Sequence, residues 1–363
     1  MIKNIQNWIG SYIARETRRL VVRETVCKPT HIIFCIADHF EPNIRTTDKA
    51  TERERVSAWA ERYPAISKEH LDADGCHPRH TFFYPIEAYD SQQVEMLATL
   101  CGHNLSEVEI QLHHDNDTEE DLKEKLQKAK GDFSGHGLLG KDRVTSEVRF
   151  GFIHGNWALN NSRPDGRFCG VSNEIQILKE MGCYADFTLP SAPDITQTSK
   201  INSIYYAHSM GHQPKSHNTG QDVVVGKTRG DGLMIIQGPL TLNFKQRSSF
   251  IFPKIENGEI AASNLPTLNR IDLWIKQRIC VYGKPDWIFV KVYTHGAEEI
   301  NIKLLLDGGL DGVFSYLESR YNDKENFVLH YASAREMYNI IRAAEAGETG
   351  DPGEYRDYQV LKT

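Results

Sequence analysis

The stretch Ile32-Ile33-Phe34-Cys35-Ile36-Ala37-Asp38-His39-Phe40-Glu41-Pro42 decides how the chain is read. It begins as an unbroken apolar run of strand-forming residues and closes on an acid, an imidazole, a second acid and a proline. Such a run is what a strand buried on both faces of a parallel sheet requires. The polar cluster then falls at the strand's carboxyl end, where α/β architectures carry out chemistry. Two later runs repeat the layout, ending in His113-His114-Asp115 and in Thr294-His295-Gly296. The expectation is that the three strand ends meet and hold a divalent metal.

Outward from that stretch, strand patterns recur at 80–84, 108–112, 148–153, 184–189, 287–293 and 327–330. Helical patterns lie between them at 50–69 and 90–102, and again after Thr118, Ser172 and Ser333, which are read as N-caps. Thr118 and Ser333 each stand three residues before an acid, a capping-box signal. Seven alternations of strand and helix predict a mostly parallel sheet with right-handed crossovers. Closed, this is an α/β fold of the distorted seven-stranded (β/α) barrel kind over residues 30–346. Residues 190–268 break the rhythm with short strand-like pieces at 203–206, 222–225, 233–237 and 250–252. They are predicted to form a β-rich insertion over the barrel mouth. The acidic segment 347–363 contains Gly and Pro and is expected to be mobile.

Residues 1–29 form a separate N-terminal element. Over 2–24 an amphipathic helix is predicted, with Ile5, Trp8, Ile9, Tyr12, Ile13 and Leu20 near one face and arginines mostly elsewhere. Two roles fit it: packing on the body, or peripheral contact with an acidic membrane surface.

Composition narrows the function classes. The 363 residues are 40% hydrophobic and 25% charged, which is ordinary for a globular chain with a large core. A net charge of −7 argues against nucleic acid as a partner. The seven cysteines are scattered, odd in number and free of any Cys-x-x-Cys spacing, so free thiols in a reducing, cytoplasmic setting are expected. No apolar run reaches the ~18 residues of a spanning helix, and no signal peptide is visible.

The residues that carry chemistry cluster at strand ends. Neutral imidazole suits zinc and similar ions, and carboxylates complete such sites. His113, His114, Asp115 and Asp117 share one loop, while Asp38, His39 and Glu41 share another, which fits a metal site or a purely structural polar cluster. His295 has no acid beside it and fits either a general acid or a ring that merely bonds backbone. The loop after residue 153 carries Asn156, Trp157, Asn160, Asn161, Arg163 and Asp165. An aromatic face beside amides and an arginine suits a sugar, although Trp157 as plain core fits almost as well. The Gly-rich pieces match no phosphate or dinucleotide fingerprint, and no serine has a nucleophile-elbow context.

In this arrangement the chain resembles the polysaccharide deacetylase superfamily, with its NodB-like fold, roughly over residues 30–335. That family's first motif is a strand ending in two aspartates, a general base and a metal ligand; Asp38 matches the first and His39 stands at the second. Its second motif has two histidines four apart after a strand. Glu109-Ile110-Gln111-Leu112-His113 matches up to the first, Asp117 stands at the second, and His114 is a competing ligand. Tyr293-Thr294-His295 resembles the late motif that supplies the general acid, and Thr81-Phe82-Phe83 the second strand. The resemblance implies a metal-dependent hydrolase that removes N-acetyl groups from a sugar or polysaccharide precursor. Asp38 would be the base and His295 the acid. His39, His113, His114 and Asp117 would hold a divalent metal, zinc first among the candidates, and Asn156, Trp157 and Arg163 would meet the carbohydrate. Two other readings stay open: a catalytically silent saccharide-binding or assembly protein on the same fold, and a glycoside hydrolase using two carboxylates such as Asp38 and Glu41.

Overall fold

The computed structural model describes residues 3–21, 28–227, 230–247 and 252–363. Its strands are β1 (Thr30–His39), β2 (His80–Pro85), β3 (Ser106–Leu112), β4 (Gly140–Asp142), β5 (Val148–His154), β6 (Cys183–Asp186), β7 (Ile204–Ala207), β8 (Gln221–Asp222), β9 (Leu233–Ile236), β10 (Thr241–Arg247), β11 (Pro253–Glu256), β12 (Glu259–Ile260), β13 (Trp287–Thr294), β14 (Phe327–Tyr331) and β15 (Val360–Lys362). Its α-helices are α1 (Ile9–Val21), α2 (Lys49–Lys68), α3 (Ser91–Gly102), α4 (Glu119–Gly135), α5 (Glu174–Glu180), α6 (Leu268–Lys276), α7 (Glu299–Leu304), α8 (Leu310–Tyr321) and α9 (Ala334–Ala346).

The apolar run of the opening stretch is the strand through which the sheet is wired. β1 pairs in parallel with β13 from His31–Trp287 to Asp38–Thr294. Its other edge is shared: Thr30–Phe34 pair with β14 and Ile36–His39 with β2, both in parallel. The sheet continues through β3, β5, β6 and β9 in parallel, then through β7 and β8 in antiparallel. All seven expected strands are present. The result is a mixed α/β fold with a large, mostly parallel sheet. Among the described residues its path is open, running from β12 to β8, and no closed seven-stranded barrel forms.

The sheet is nevertheless curled. Lys291 of β13 is buried, and its Nζ donates to the carbonyls of Phe187 and Leu189 just beyond β6, far away in the strand order. Period two sorts β1 between the two faces. Ile32, Phe34 and Ile36 pack beneath the helices of the outer face, with Trp59, Leu97, Leu122 and Leu317. Ile33, Cys35 and Ala37 face an inner cluster with Phe83, Ile153, Phe187, Phe289 and α9. Each buried aliphatic or aromatic side chain contributes about 1.5–3 kcal/mol, and both faces draw on β1.

Three expectations change. Residues 190–268 are more than an insertion over the mouth. β9 extends the main sheet in parallel from β6, β12 borders β13, and only β10 and β11 form a separate two-stranded sheet. The piece at 250–252 falls largely outside the described residues, as do residues 22–24 of the first helix and Cys27. The tail is ordered: β15 pairs in antiparallel with β4, and Arg356 donates to Asp72 at 2.9 Å and Asp74 at 2.8 Å. A guanidinium delivered to the buried Asp72 and the half-buried Asp74 outweighs the Gly and Pro content. Finally, Ser172 does not cap α5. Its hydroxyl accepts from Asn161, and Asn173 holds the N-cap position without a side-chain bond. The capping box at Ser333 forms as expected.

α1 packs on the body. Trp8 is buried with Ala192, Ile201, Leu240 and Leu242. Arg15 and Arg19 donate to the Gln277 carbonyl at the carboxyl end of α6, where the helix dipole favours cations. Among the described residues no helix is long and apolar enough to cross a membrane.

Candidate metal centre

The strand alternation that builds the core also sorts the polar strand ends. Residues in step with Ile33 and Ala37 reach the inner face, and those in step with Ile36 reach the outer one. His39 and Glu41 therefore project inward while Asp38 projects outward. Register sets the partner from β13: Asp38 pairs with Thr294, so His295 arrives beside His39. The two imidazole rings lie 4.9 Å apart, centre to centre. Ligand atoms of His39, Glu41 and His295 all fall within 4.8 Å of one another, close enough to hold a metal ion.

β3 completes the mouth. Gln111 Nε2 donates to Glu41 Oε1 at 2.5 Å, and His113 Nε2 lies 3.1 Å from the same oxygen. His113 Nδ1 is held by Glu87 at 2.6 Å. Space for this ring depends on Gly155, because a Cβ there would sit 2.3 Å from His113 Nε2. Trp157 forms a wall, its ring 6.3 Å from His39 and 6.2 Å from His295, and Asn156 precedes it in the same turn. Tyr293 adds a second ring 5.7 Å from His39.

Two of the three grouped residues, His39 and Glu41, stand in the protonation state a metal ligand needs. Burial, reinforced by His295, Lys291 and His113, holds the His39 imidazole well below its usual range, so one ring nitrogen keeps a free lone pair, and its Nδ1 has no partner. Burial opposes charge on Glu41, yet the His113 hydrogen bond and the His295 and His113 charges outweigh it and keep the carboxylate ionised. Burial also opposes charge on His113, but Glu41 and Glu87 push it up to about 9.

Of the residues named from sequence, the inner mouth gathers His39, His113, His295 and Trp157. Asp38 stands apart, fully buried on the outer face. Its Oδ2 accepts from His80 Nε2 at 2.8 Å and its Oδ1 from the Gly296 N–H at 2.7 Å. Both oxygens of the expected base are thus occupied, and Gly296 is the residue after His295. Arg163 is taken up by Asp165 in a two-pronged pair at 3.0 and 2.8 Å. His114 and Asp117 belong to a second group. One residue beyond His113, His114 projects to the outer face, where it meets His154, Cys169 and Glu174; this buried set also has spacing that could hold a metal ion.

Sequence reasoning left Glu41 out of the metal set, although its spacing of two from His39 already signals a shared face. Glu87 and Gln111 gave no signal beyond residue type. His154 ends β5 opposite Leu112, but that register is visible only in the sheet. Cys169 and Glu174 carry no pattern at all.

Compared with protein-family models and with curated proteins, the chain matches none.

Proposed function

We propose that the protein is a metal-dependent hydrolase working at the inner mouth, on a deacetylase-like distorted barrel scaffold, to remove N-acetyl groups from a sugar or polysaccharide precursor. The observation that carries this reading is the convergence of His39, Glu41 and His295 within metal-binding distance, with His113 on Glu41. A divalent ion there, zinc foremost, would polarise the amide carbonyl and lower the pKa of a water molecule, whose proton would pass to bulk solvent. His39 supplies a neutral nitrogen and Glu41 an ionised oxygen. His113, whose pKa its contacts with Glu41 and Glu87 raise against burial, is the group placed to hand a proton to a departing amine. Trp157 offers a face on which a sugar ring can stack. Asp38 acts as a positioning residue, through Gly296, on the turn that carries His295.

The test is acetate release from N-acetylated oligosaccharides, with and without a chelator. Activity should vanish on chelation and return with zinc, and Glu41→Gln should lower kcat/KM by about 100-fold or more. Acetate release that ignores the chelator, or that survives Glu41→Gln, would overturn the proposal. So would a folded, metal-loaded protein that binds saccharide without releasing acetate.

A further inference from the structure

The buried group on the outer face is independent of the mouth. His114 follows β3, His154 ends β5, Cys169 lies in the loop between β5 and α5, and Glu174 opens α5. His154, Cys169 and Glu174 are fully shielded, and His114 nearly so. His114 Nε2 lies 3.1 Å from Glu174 Oε1, and His154 Nε2 lies 4.0 Å from that oxygen. Cys169 Sγ is 3.5 Å from Glu174 Oε2. Tetrahedral zinc, with bonds of about 2.0–2.3 Å, sets its ligand atoms about 3.3–3.8 Å apart. The observed spacings bracket that range.

Two features point to an ion beyond the hydrogen bonds that His114 and Cys169 make to Glu174. Neither nitrogen of His154 has a partner, although the ring is wholly buried and Nε2 faces Glu174. Orphaned polar atoms this deep are costly unless something pairs with them. The surroundings of His114 are those of a ligand. Its Nδ1 donates to Asp117 at 2.8 Å, and Asp117 is held in turn by Lys125 at 2.7 Å. A carboxylate behind the distal nitrogen fixes tautomer and ring direction in metal-bound histidines. Glu174 is anchored likewise, its Oε2 accepting from the Asn160 N–H at 2.6 Å. Gly170, at φ +98°, lets the backbone pass where a Cβ would sit 2.6 Å from the Asp117 nitrogen.

We propose that His114, His154, Cys169 and Glu174 form a closed, four-ligand site for a zinc-class divalent ion that staples the 155–173 loop to the ends of β3 and β5. Two imidazoles, a thiolate and a carboxylate neutralise the ion's charge, and a full set of protein ligands makes the site structural rather than catalytic. The loop it fixes carries Trp157, so the ion also sets the wall of the mouth.

The experiment uses cobalt-substituted full-length protein, because a thiolate ligand gives a near-ultraviolet charge-transfer band that the inner mouth, with no sulfur in its ligand group, cannot give. The mouth variant His39→Ala/Glu41→Gln isolates the buried site. It should retain about one ion per chain and the full band, and Cys169→Ser should lose the band. A folded mouth variant without bound metal, or cobalt protein without the thiolate band, would overturn the proposal. If Cys169→Ser does not fold, anomalous scattering from crystals of the unmodified protein decides: a peak between these four side chains supports the site, and its absence refutes it. Absence of acetate release from the unmodified protein, with the band intact, would count against the hydrolase reading alone.

Discussion

Asp38→Asn separates proton transfer from positioning. The asparagine Oδ1 can still accept the Gly296 N–H that Asp38 accepts at 2.7 Å. Its amide nitrogen would then face His80 Nε2, which donates to Asp38 at 2.8 Å. His80 Nδ1 has no partner, so the ring can carry its proton there and accept at Nε2 instead. One amide N–H stays unpaired in a dry site, and two charge-assisted hydrogen bonds become neutral ones. The expected loss of unfolding free energy is about 1–3 kcal/mol. Asp38→Ala strands both donors and should cost about 2–5 kcal/mol. For a positioning residue, kcat should fall by less than about tenfold and mouth metal affinity should hold; a general base would cost about 100- to 10,000-fold in kcat. Urea unfolding, metal titration and initial-rate kinetics on the same preparation give all three quantities. A kcat loss above about 100-fold, with stability and metal binding unchanged, would refute the positioning argument and restore Asp38 as the proton acceptor.

Gly155→Ala should push the His113 ring off Glu41, since its Cβ would lie 2.3 Å from Nε2. Calorimetric titration should show mouth metal affinity lowered by about 10- to 100-fold, the usual effect of losing a ligand's supporting contact; unchanged affinity would count against His113 as part of the site. The acid side of the stability profile should depend on Asp74. Burial opposes its charge, but His330 and Arg356 hold it down from the ordinary 3.8 to about 2. A depressed carboxyl pKa stabilises the fold above the unfolded value and loses that contribution as pH falls from about 4 through 2. Unfolding free energies measured across that window should fall more steeply for the native protein than for Asp74→Asn, and parallel curves would refute the assignment.

The sequence by itself determined the seven strands, most of the helices between them and the polar character of three strand ends. These are local properties: an apolar run, a helical period and a capping acid are each written within about ten residues. It also held the face of each side chain at a strand end, because period two puts His39 with Glu41 and sets Asp38 and His114 apart from them. Reading residues by nearness in sequence grouped neighbours that point in opposite directions.

Only the tertiary structure decided the rest. Pairing of β1 with β13 brings His295 to His39, and the meeting of a loop with α5 brings Cys169 and Glu174 to His114. The tail docks because buried Asp72 and half-buried Asp74 wait for Arg356 more than 280 residues away in the chain. Contacts of this range depend on register and on which elements pack together, which no short window of sequence encodes. The chain thus announces its strands and its metal-binding residue types locally, while the division of those residues into two centres is made by the sheet.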